Sequence, residues 1–417
     1  MRILWIVNLV MPELADFLKI ETSPSGTWLY DVAERLAADK NIQLAIACVN
    51  GSLFQKIELN NITYYILPGN GKNMLFYTKK YENMWKRLDK EFQPEIIHIH
   101  GTEYSHGLSY IRTFPEKKCV ISMQGILNRI KDIDDGGLTF FERIINRTFK
   151  ENVHFNGMFE RHFLYKKNAK YEEEMIQKVR YANCVNFWDQ SIVKAMNPNI
   201  KVFTLDYNLR KEFYSADKWN LSKMNPYTIF TNPGGSPMKG VHQLFRAIAI
   251  VKNIFPQTKL YIPGMGNSEG KLEVTNGYTK YLSKLLNELH LEKHVVFLGR
   301  QSGEEMMNQM RSANVVVIPS AIEGTSLILR EAMYLGCPCI TSFRGGMADY
   351  ITDKYDGYLY DYQEYPYLAG RIIQIFEDGN KAADISERAI KKSEIAHNPE
   401  KNYSEYLRMY QEIYNEG

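Results

Sequence analysis

Cysteine is scarce in this chain. Five residues in 417, Cys48, Cys119, Cys184, Cys337 and Cys339, form an odd, widely spread set. That pattern argues against a disulfide framework and points to reduced thiols in a cytosol. The "GCPC" pair is too tight for paired metal ligands, and no second pair follows it. Long apolar runs are also missing: no stretch reaches the roughly 18 residues of a membrane span. The opening "MRILWIVNLVMPEL" meets Pro12 and Glu13 without a small-residue cleavage site, so it reads as a first buried strand rather than a signal peptide. Charge of one sign is lacking. Lys and Arg number 51 against 48 Asp and Glu, a formal net charge of +3, which supplies no overall field for nucleic acid. Internal repeats and low-complexity tracts are absent. No G-x-G-x-x-G follows the first strand, which argues against a dinucleotide oxidoreductase.

What is present is ordinary globular material, 45% apolar and 24% charged, in a chain long enough for two domains. Short apolar runs alternate with amphipathic stretches, the look of parallel α/β units. In the first half the candidate strands are "RILWIVN", "QLAIACVN", "TYYILPG", "EIIHIHG", "CVISMQG", "NCVNFW" and "KVFTLDY"; in the second they are "YTIFTN", "KLYIPG", "HVVFLG", "NVVVIPS" and "CPCITS". The rhythm lapses over residues 208–226, which sets the domain boundary. The expected organisation is an α/β protein of two doubly wound, Rossmann-like domains facing a central cleft. Residues 1–208 would form the first domain and residues 209–395 the second. Residues 396–417 would form an amphipathic helix that packs back toward the first, with Tyr403, Tyr406, Leu407, Tyr410 and Tyr414 along one stripe. Ligands of such sheets bind at the carboxyl ends of the strands, so the informative residues should follow strands.

"EGTSLILRE" follows the strand "NVVVIPS". Glu323 falls in a loop. Thr325 or Ser326 can cap a helix, and Glu331 lies about a turn and a half into it. Two carboxylates can accept hydrogen bonds from the hydroxyls of a sugar and a ribose, while amides of Gly324, Thr325, Ser326 and Leu327 hold phosphate between them. The competing reading is a solvated loop glutamate and a salt-bridged helix glutamate.

The longer segment "EGTSLILREAMYLGCPCITSFRGG" resembles the signature of retaining glycosyltransferases of family 4, which have the GT-B fold. Glu323, Glu331, Ala332, Met333, Gly336, Pro338, Gly345 and Gly346 stand in its order. The likeness extends upstream through "GRQSGEEMMNQMRSANVVVIPS", "LYIPGMG" and "MKGVHQLFRAI" to cover most of residues 227–360. It is looser in the first half, through the opening strand, "SGTW" and "IIHIHG". The resemblance implies that Glu331 holds ribose, Glu323 the donor sugar and Lys239 the pyrophosphate. Gly26, Gly234, Gly235, Gly264 and Arg300 would complete the donor set. The family's arginine ahead of that lysine is missing, replaced by Pro233 and Gly234, and Arg344 or Arg300 would have to compensate. Gln124 stands where many members have a histidine. It joins Lys239 and Glu323 as a catalytic candidate that can hydrogen-bond but cannot titrate near neutrality.

The implied activity is transfer of a hexose-type sugar, with retention, from a nucleotide sugar to a glycan or lipid-linked glycan in bacterial polysaccharide or glycoconjugate assembly. UDP is the first choice of nucleotide and a guanosine sugar the second. No metal or other cofactor is expected. "KDIDDGG" holds Asp132 and Asp134 at the spacing of metal-dependent transferases, but it follows a basic stretch rather than a clear strand. A non-catalytic nucleotide-sugar-binding subunit and a sugar-nucleotide epimerase of the same fold are the alternatives. On the acceptor side, His98 and His100 read as strand-end histidines, with His100 nearest the cleft. Glu103 and His106 in "GTEYSHG" join His100 as acceptor-binding candidates. Residues 140–171 mix phenylalanines with Lys and Arg, and Phe155, Phe159 and Phe163 fall four apart as on one helical face. That stretch reads either as peripheral contact with an anionic inner membrane surface by a cytoplasmic protein or as a helix packed into the first domain.

Overall fold

The computed structural model describes residues 1–21, 26, 28–232, 234–267 and 269–416. Pro233, and Ser25 and Thr27 of "SGTW", lie outside the described residues. The chain divides into two units. The first comprises residues 1–131, 164–208 and 397–417, the second residues 132–163 and 209–396.

Among the described residues the first unit is built on eight strands: β1 (Arg2–Ile6), β2 (Gln43–Val49), β3 (Gln55–Leu59), β4 (Ile62–Leu67), β5 (Ile96–His100), β6 (Cys119–Ser122), β7 (Tyr181–Asn183) and β8 (Lys201–Phe203). Their order is β3-β4-β2-β1-β5-β6-β7-β8, parallel except for β3 against β4. β5 is buried at every position, which explains its uninterrupted run "IIHIH": a strand covered on both faces has no polar side to show. The edge strand β3, by contrast, exposes Gln55, Lys56 and Glu58 and half-buries Ile57 and Leu59, and the sequence reading did not mark so short and polar a stretch. One face of the sheet packs around Trp85 and Tyr110. The other packs around Trp5 and the returning helix Pro399–Asn415. That helix buries Tyr406, Met409, Tyr410 and Ile413; Tyr414 is largely exposed, so the buried stripe is rotated from the tyrosine row. Tyr410 accepts a hydrogen bond from Trp5 Nε1 at 2.9 Å and meets His98 Nδ1 at 2.7 Å.

The second unit holds β9 (Thr228–Phe230), β10 (Lys259–Ile262), β11 (Val295–Phe297), β12 (Val315–Ile318), β13 (Cys339–Ser342) and β14 (Tyr358–Tyr360), all parallel, in the order β11-β10-β9-β12-β13-β14. The edge strand β14 is absent from the strands expected from the sequence. Chain order reverses between β9 and β12 here and between β1 and β5 in the first sheet.

Residues 132–163 group with the second unit, a correction to the sequence reading, which placed them in the first. Their anchors are tertiary. Leu138 and Met158 enter the second unit's core. Gly136 O meets His242 Nε2 at 3.0 Å, and Glu151 Oε1 accepts from Gly277 N at 3.0 Å. Two short helices, Phe140–Ile145 and Phe149–His154, carry capping boxes on Thr139 and Thr148. The expected row of Phe155, Phe159 and Phe163 does not form: Phe155 is a left-handed cap residue with φ 48°, and the next helix begins only at Met158.

Candidate active site

Lys239 and Glu323 leave β9 and β12, the neighbours at the second sheet's reversal point, where open α/β sheets bind ligands. Lys239 closes the short helix Pro237–Lys239, and its Nζ pairs with Glu323 Oε1. Ser320 Oγ donates to the same oxygen at 2.8 Å. Both side chains of the pair keep partial access to solvent.

Two glycines make this placement possible. Gly240 has φ +72°, and a Cβ there would lie 1.8 Å from Pro319 O. Gly345 has φ +71°, and its Cβ would lie 2.1 Å from Glu323 O. The backbone of Glu323 forms an isolated parallel bridge with Gly345 and accepts from Gly346 N at 2.9 Å. The Lys-Gly pair and the Gly-Gly pair of the sequence signature are therefore packing requirements: each lets one loop lie against the loop that bears Glu323.

Ser326 caps the helix Leu327–Leu335, its Oγ accepting from Leu329 N at 3.3 Å. The hydroxyl is thereby engaged, whereas the neighbouring Thr325 Oγ1 is buried and unpartnered. Gly324 and Leu327 are half-buried beside it. The N-terminal amides of this helix and the positive end of its dipole favour an anion.

Glu331 departs from expectation. It is 1% exposed and gripped by both arms of Arg210, Nε to Oε1 at 2.7 Å and Nη2 to Oε2 at 2.8 Å. Burial raises its pKa, and Arg210 opposes that rise. The carboxylate expected to present itself to a ribose is a satisfied ion pair here, because Arg210 stands over it. Arg210 lay in "NLRKEFY", a stretch without periodicity, so no local signal marked it. Arg344, one of two cations considered as replacements for the missing arginine, pairs with Asp361 at 3.2 Å. Arg300 is exposed in the loop after β11.

The remaining glycines differ in kind. Gly234 and Gly264 have φ of +72° and +75°, and a Cβ on either would meet nothing within 4 Å. Gly235 is in ordinary contact distance of Asn276 and Thr279. Gly26, in the first unit, has its near space taken by Leu9 Cδ2, 1.9 Å from where a Cβ would be.

In the first unit, Glu103 and Gln124 follow β5 and β6 and meet beside Gly101. His100 is 2% exposed and stacks on His98 with ring centroids 3.8 Å apart. Burial, with His98 beside it, holds His100 well below its usual pKa. His106 Nε2 meets Val7 O at 3.2 Å, and burial lowers the His106 pKa to about 4. The two histidines are thus neutral at physiological pH. One residue that the sequence did not single out organises this region: Glu172, fully buried in the helix Met158–Lys178.

Residues 215–392 match the family model described as glycosyl transferases group 1. Among curated proteins, the chain is 25% identical over 229 residues to the "Uncharacterized glycosyltransferase YqgM" of Bacillus subtilis, covering 55% of this chain and 60% of that protein. It is 29% identical over 130 residues to the N-acetyl-alpha-D-glucosaminyl L-malate synthase of Bacillus anthracis, covering 31% and 34% respectively. The matched stretches therefore span between about a third and three fifths of these relatives. Solved structures match over the whole length. Sucrose-phosphate synthase from Thermosynechococcus elongatus gives a TM-score of 0.72 at 14% identity, covering 100% of both chains. HepE from Anabaena, in complex with UDP and glucose, gives 0.68 at 16% identity, covering 99% of both. At such identities the likeness shows the fold, two Rossmann-like domains of the GT-B class.

Proposed function

We propose that this protein is a retaining glycosyltransferase of family 4 type. It moves a hexose-type sugar from a UDP-linked donor to a glycan or lipid-linked glycan in bacterial polysaccharide or glycoconjugate assembly, without a metal ion. The observation that carries this reading is the Lys239–Glu323 pair at the second sheet's reversal point, with both loops fitted by glycines that tolerate no side chain. The group 1 family match over residues 215–392 and the UDP named in a structural relative support the donor class.

In this mechanism Lys239 turns from Glu323 to the diphosphate as the donor enters. The helix amides at Leu327 and the open backbone at Gly234 neutralise the charge that develops on the leaving group. Glu323, released, accepts from a sugar hydroxyl, with Ser320 holding its orientation. The departing diphosphate takes the acceptor's proton on the face from which it leaves. Glu331 is paired with Arg210 in its buried site, and Arg210 must shift for that carboxylate to reach the ribose.

The exposed apolar surface on residues 140–163 supports a lipid-linked acceptor at a membrane face. Phe140, Phe141, Phe149, Phe155 and Phe163 are 64–82% exposed there. The basic character expected of that stretch is reduced, since Arg143 and Arg147 pair with Asp135 and Glu160. Isothermal titration with UDP, GDP and ADP, followed by product analysis with chelator present, tests the reading. UDP binding that Lys239→Ala abolishes and sugar transfer that survives chelation are expected. Donor binding without transfer or hydrolysis would favour the non-catalytic subunit, and conversion of the donor sugar itself would favour the epimerase.

A further inference from the structure

Two cation–carboxylate pairs stand along one helix of the second unit. Lys239 pairs with Glu323 in the loop before the helix Leu327–Leu335, and Arg210 pairs with Glu331 within it. Leu327 and Glu331 are four residues apart, so they share a face and differ by one turn, roughly 6 Å along the axis. The guanidinium on Glu331 is therefore within a side-chain swing of the helix's first amides. Arg330, beside Glu331 in sequence, is committed elsewhere. It lies over the Tyr350 ring, 4.1 Å from the centroid, and donates to the Tyr350 hydroxyl at 3.3 Å.

Arg210 enters from "NLRKEFY", outside the segments that carry the glycosyltransferase signature. Its backbone is extended, φ −61° and ψ 141°, and the short helix Lys211–Tyr214 begins next to it. The guanidinium lies over the Phe213 ring, 4.7 Å from the centroid, a contact that holds a flat cation without using a donor. Gly303, the first residue of the helix Gly303–Ser312, leaves room beside it. A Cβ there would fall 1.9 Å from Glu212 Oε1 and 3.1 Å from Arg210 Nη1. Glu331 engages two of the guanidinium's five N–H groups, and the same planar fork fits a phosphate as well as a carboxylate.

A diphosphate is negative on both phosphates and gains charge as the sugar departs, so one lysine and one helix terminus leave it under-neutralised. We propose that Arg210 is a second diphosphate-binding residue, which passes from Glu331 to the donor's phosphates as Glu331 passes to the ribose hydroxyls. The role rests on the transferase reading of the Lys239 site. Arg210 and Lys239 then act alike. Each carboxylate exchanges a cation for hydroxyl donors, and each cation exchanges a carboxylate for a phosphate. No covered charge is left unpaired, which is the condition for a buried glutamate to change partners.

Isothermal titration with UDP, and with uridine by displacement, separates this role from a purely structural ion pair. Uridine keeps the ribose and lacks the phosphates. Arg210→Gln should weaken UDP binding about tenfold or more, while uridine binding changes by less than about threefold. Arg210→Lys keeps the charge but loses the fork, so its UDP affinity should fall between the two. Circular dichroism and melting temperature check that each variant is folded. Should Arg210→Gln not fold, Arg210→Lys decides on the same ratio of UDP to uridine affinity. Equal losses for UDP and uridine would make Arg210 a support for Glu331 alone and overturn the proposal, as would UDP affinity like that of the wild type. Lys239→Ala, titrated alongside, reports on the site itself. UDP binding lost in Lys239→Ala but kept in Arg210→Gln sinks the Arg210 role alone. Arg210-dependent UDP binding without sugar transfer sinks the transferase reading alone, and no UDP binding by the wild type sinks both.

Discussion

Single residues decide whether the second unit can handle a diphosphate. Lys239 is the cation already poised at the reversal point, and losing a preorganised charge partner typically costs about 10²–10³ in turnover. We expect Lys239→Ala to fall in that range in a donor-turnover assay, with the melting point little changed because the lysine is partly exposed. Gly345→Ala should act differently. It forces a side chain into a left-handed backbone and against Glu323 O, so both the melting temperature and UDP affinity should drop, the former measured by calorimetry. Glu331 combines the two kinds of effect. Truncating it leaves Arg210 charged and mostly covered, which costs about 3–5 kcal/mol in comparable buried pairs. Glu331→Ala should therefore lose stability as well as nucleotide affinity, and Glu331→Gln less of the former. The glutamate pair was legible in the sequence because its spacing is local. Arg210, 121 positions away from Glu331, was not, since only folding brings the two together.

Elements set the direction in which these residues face. The helix Leu327–Leu335 begins where it does because Ser326 supplies the cap. Ser326→Ala should cost about 0.5–2 kcal/mol, seen as a lower urea midpoint, while Thr325→Ala, one residue earlier, should leave stability nearly unchanged because its hydroxyl has no partner. In the first unit the strand–loop junctions after β5 and β6 could be read from "IIHIHG" and "CVISMQG", which is where the candidates Glu103 and Gln124 were placed. Glu172 could not. It sits within the acidic run "YEEEM", where each glutamate looks alike, and only the helix's packing buries one of them while leaving Glu174 to pair with Arg112 near the surface.

At the scale of the whole molecule, buried titratable groups pull stability in opposite directions. His98, His100, His106 and His242 have pKa values lowered by burial. The unfolded chain binds more protons at them below about pH 6.5, so stability rises with pH up to that point. Glu103 and Glu172 have raised values, about 7 and about 8. There the folded chain binds more protons, and stability falls as pH climbs to about 8. Unfolding followed across pH should therefore peak near neutrality, and Glu172→Gln should flatten the alkaline limb. The exposed phenylalanines of residues 140–163 make another global prediction: flotation with anionic liposomes should recover the protein, and Phe141→Ser with Phe149→Ser should abolish recovery while leaving UDP binding intact. The sequence by itself determined the class of fold, the strand succession and the loop positions of the donor candidates, because periodicity, caps and glycine turns act over short stretches of chain. Only the tertiary structure decided which carboxylates are sealed and which are offered, that residues 132–163 join the second unit, and that one buried glutamate, Glu172, ties the loop of Thr102 to that of Leu127 and Asn128. Those outcomes depend on desolvation and on partners distant in sequence, which no local pattern records.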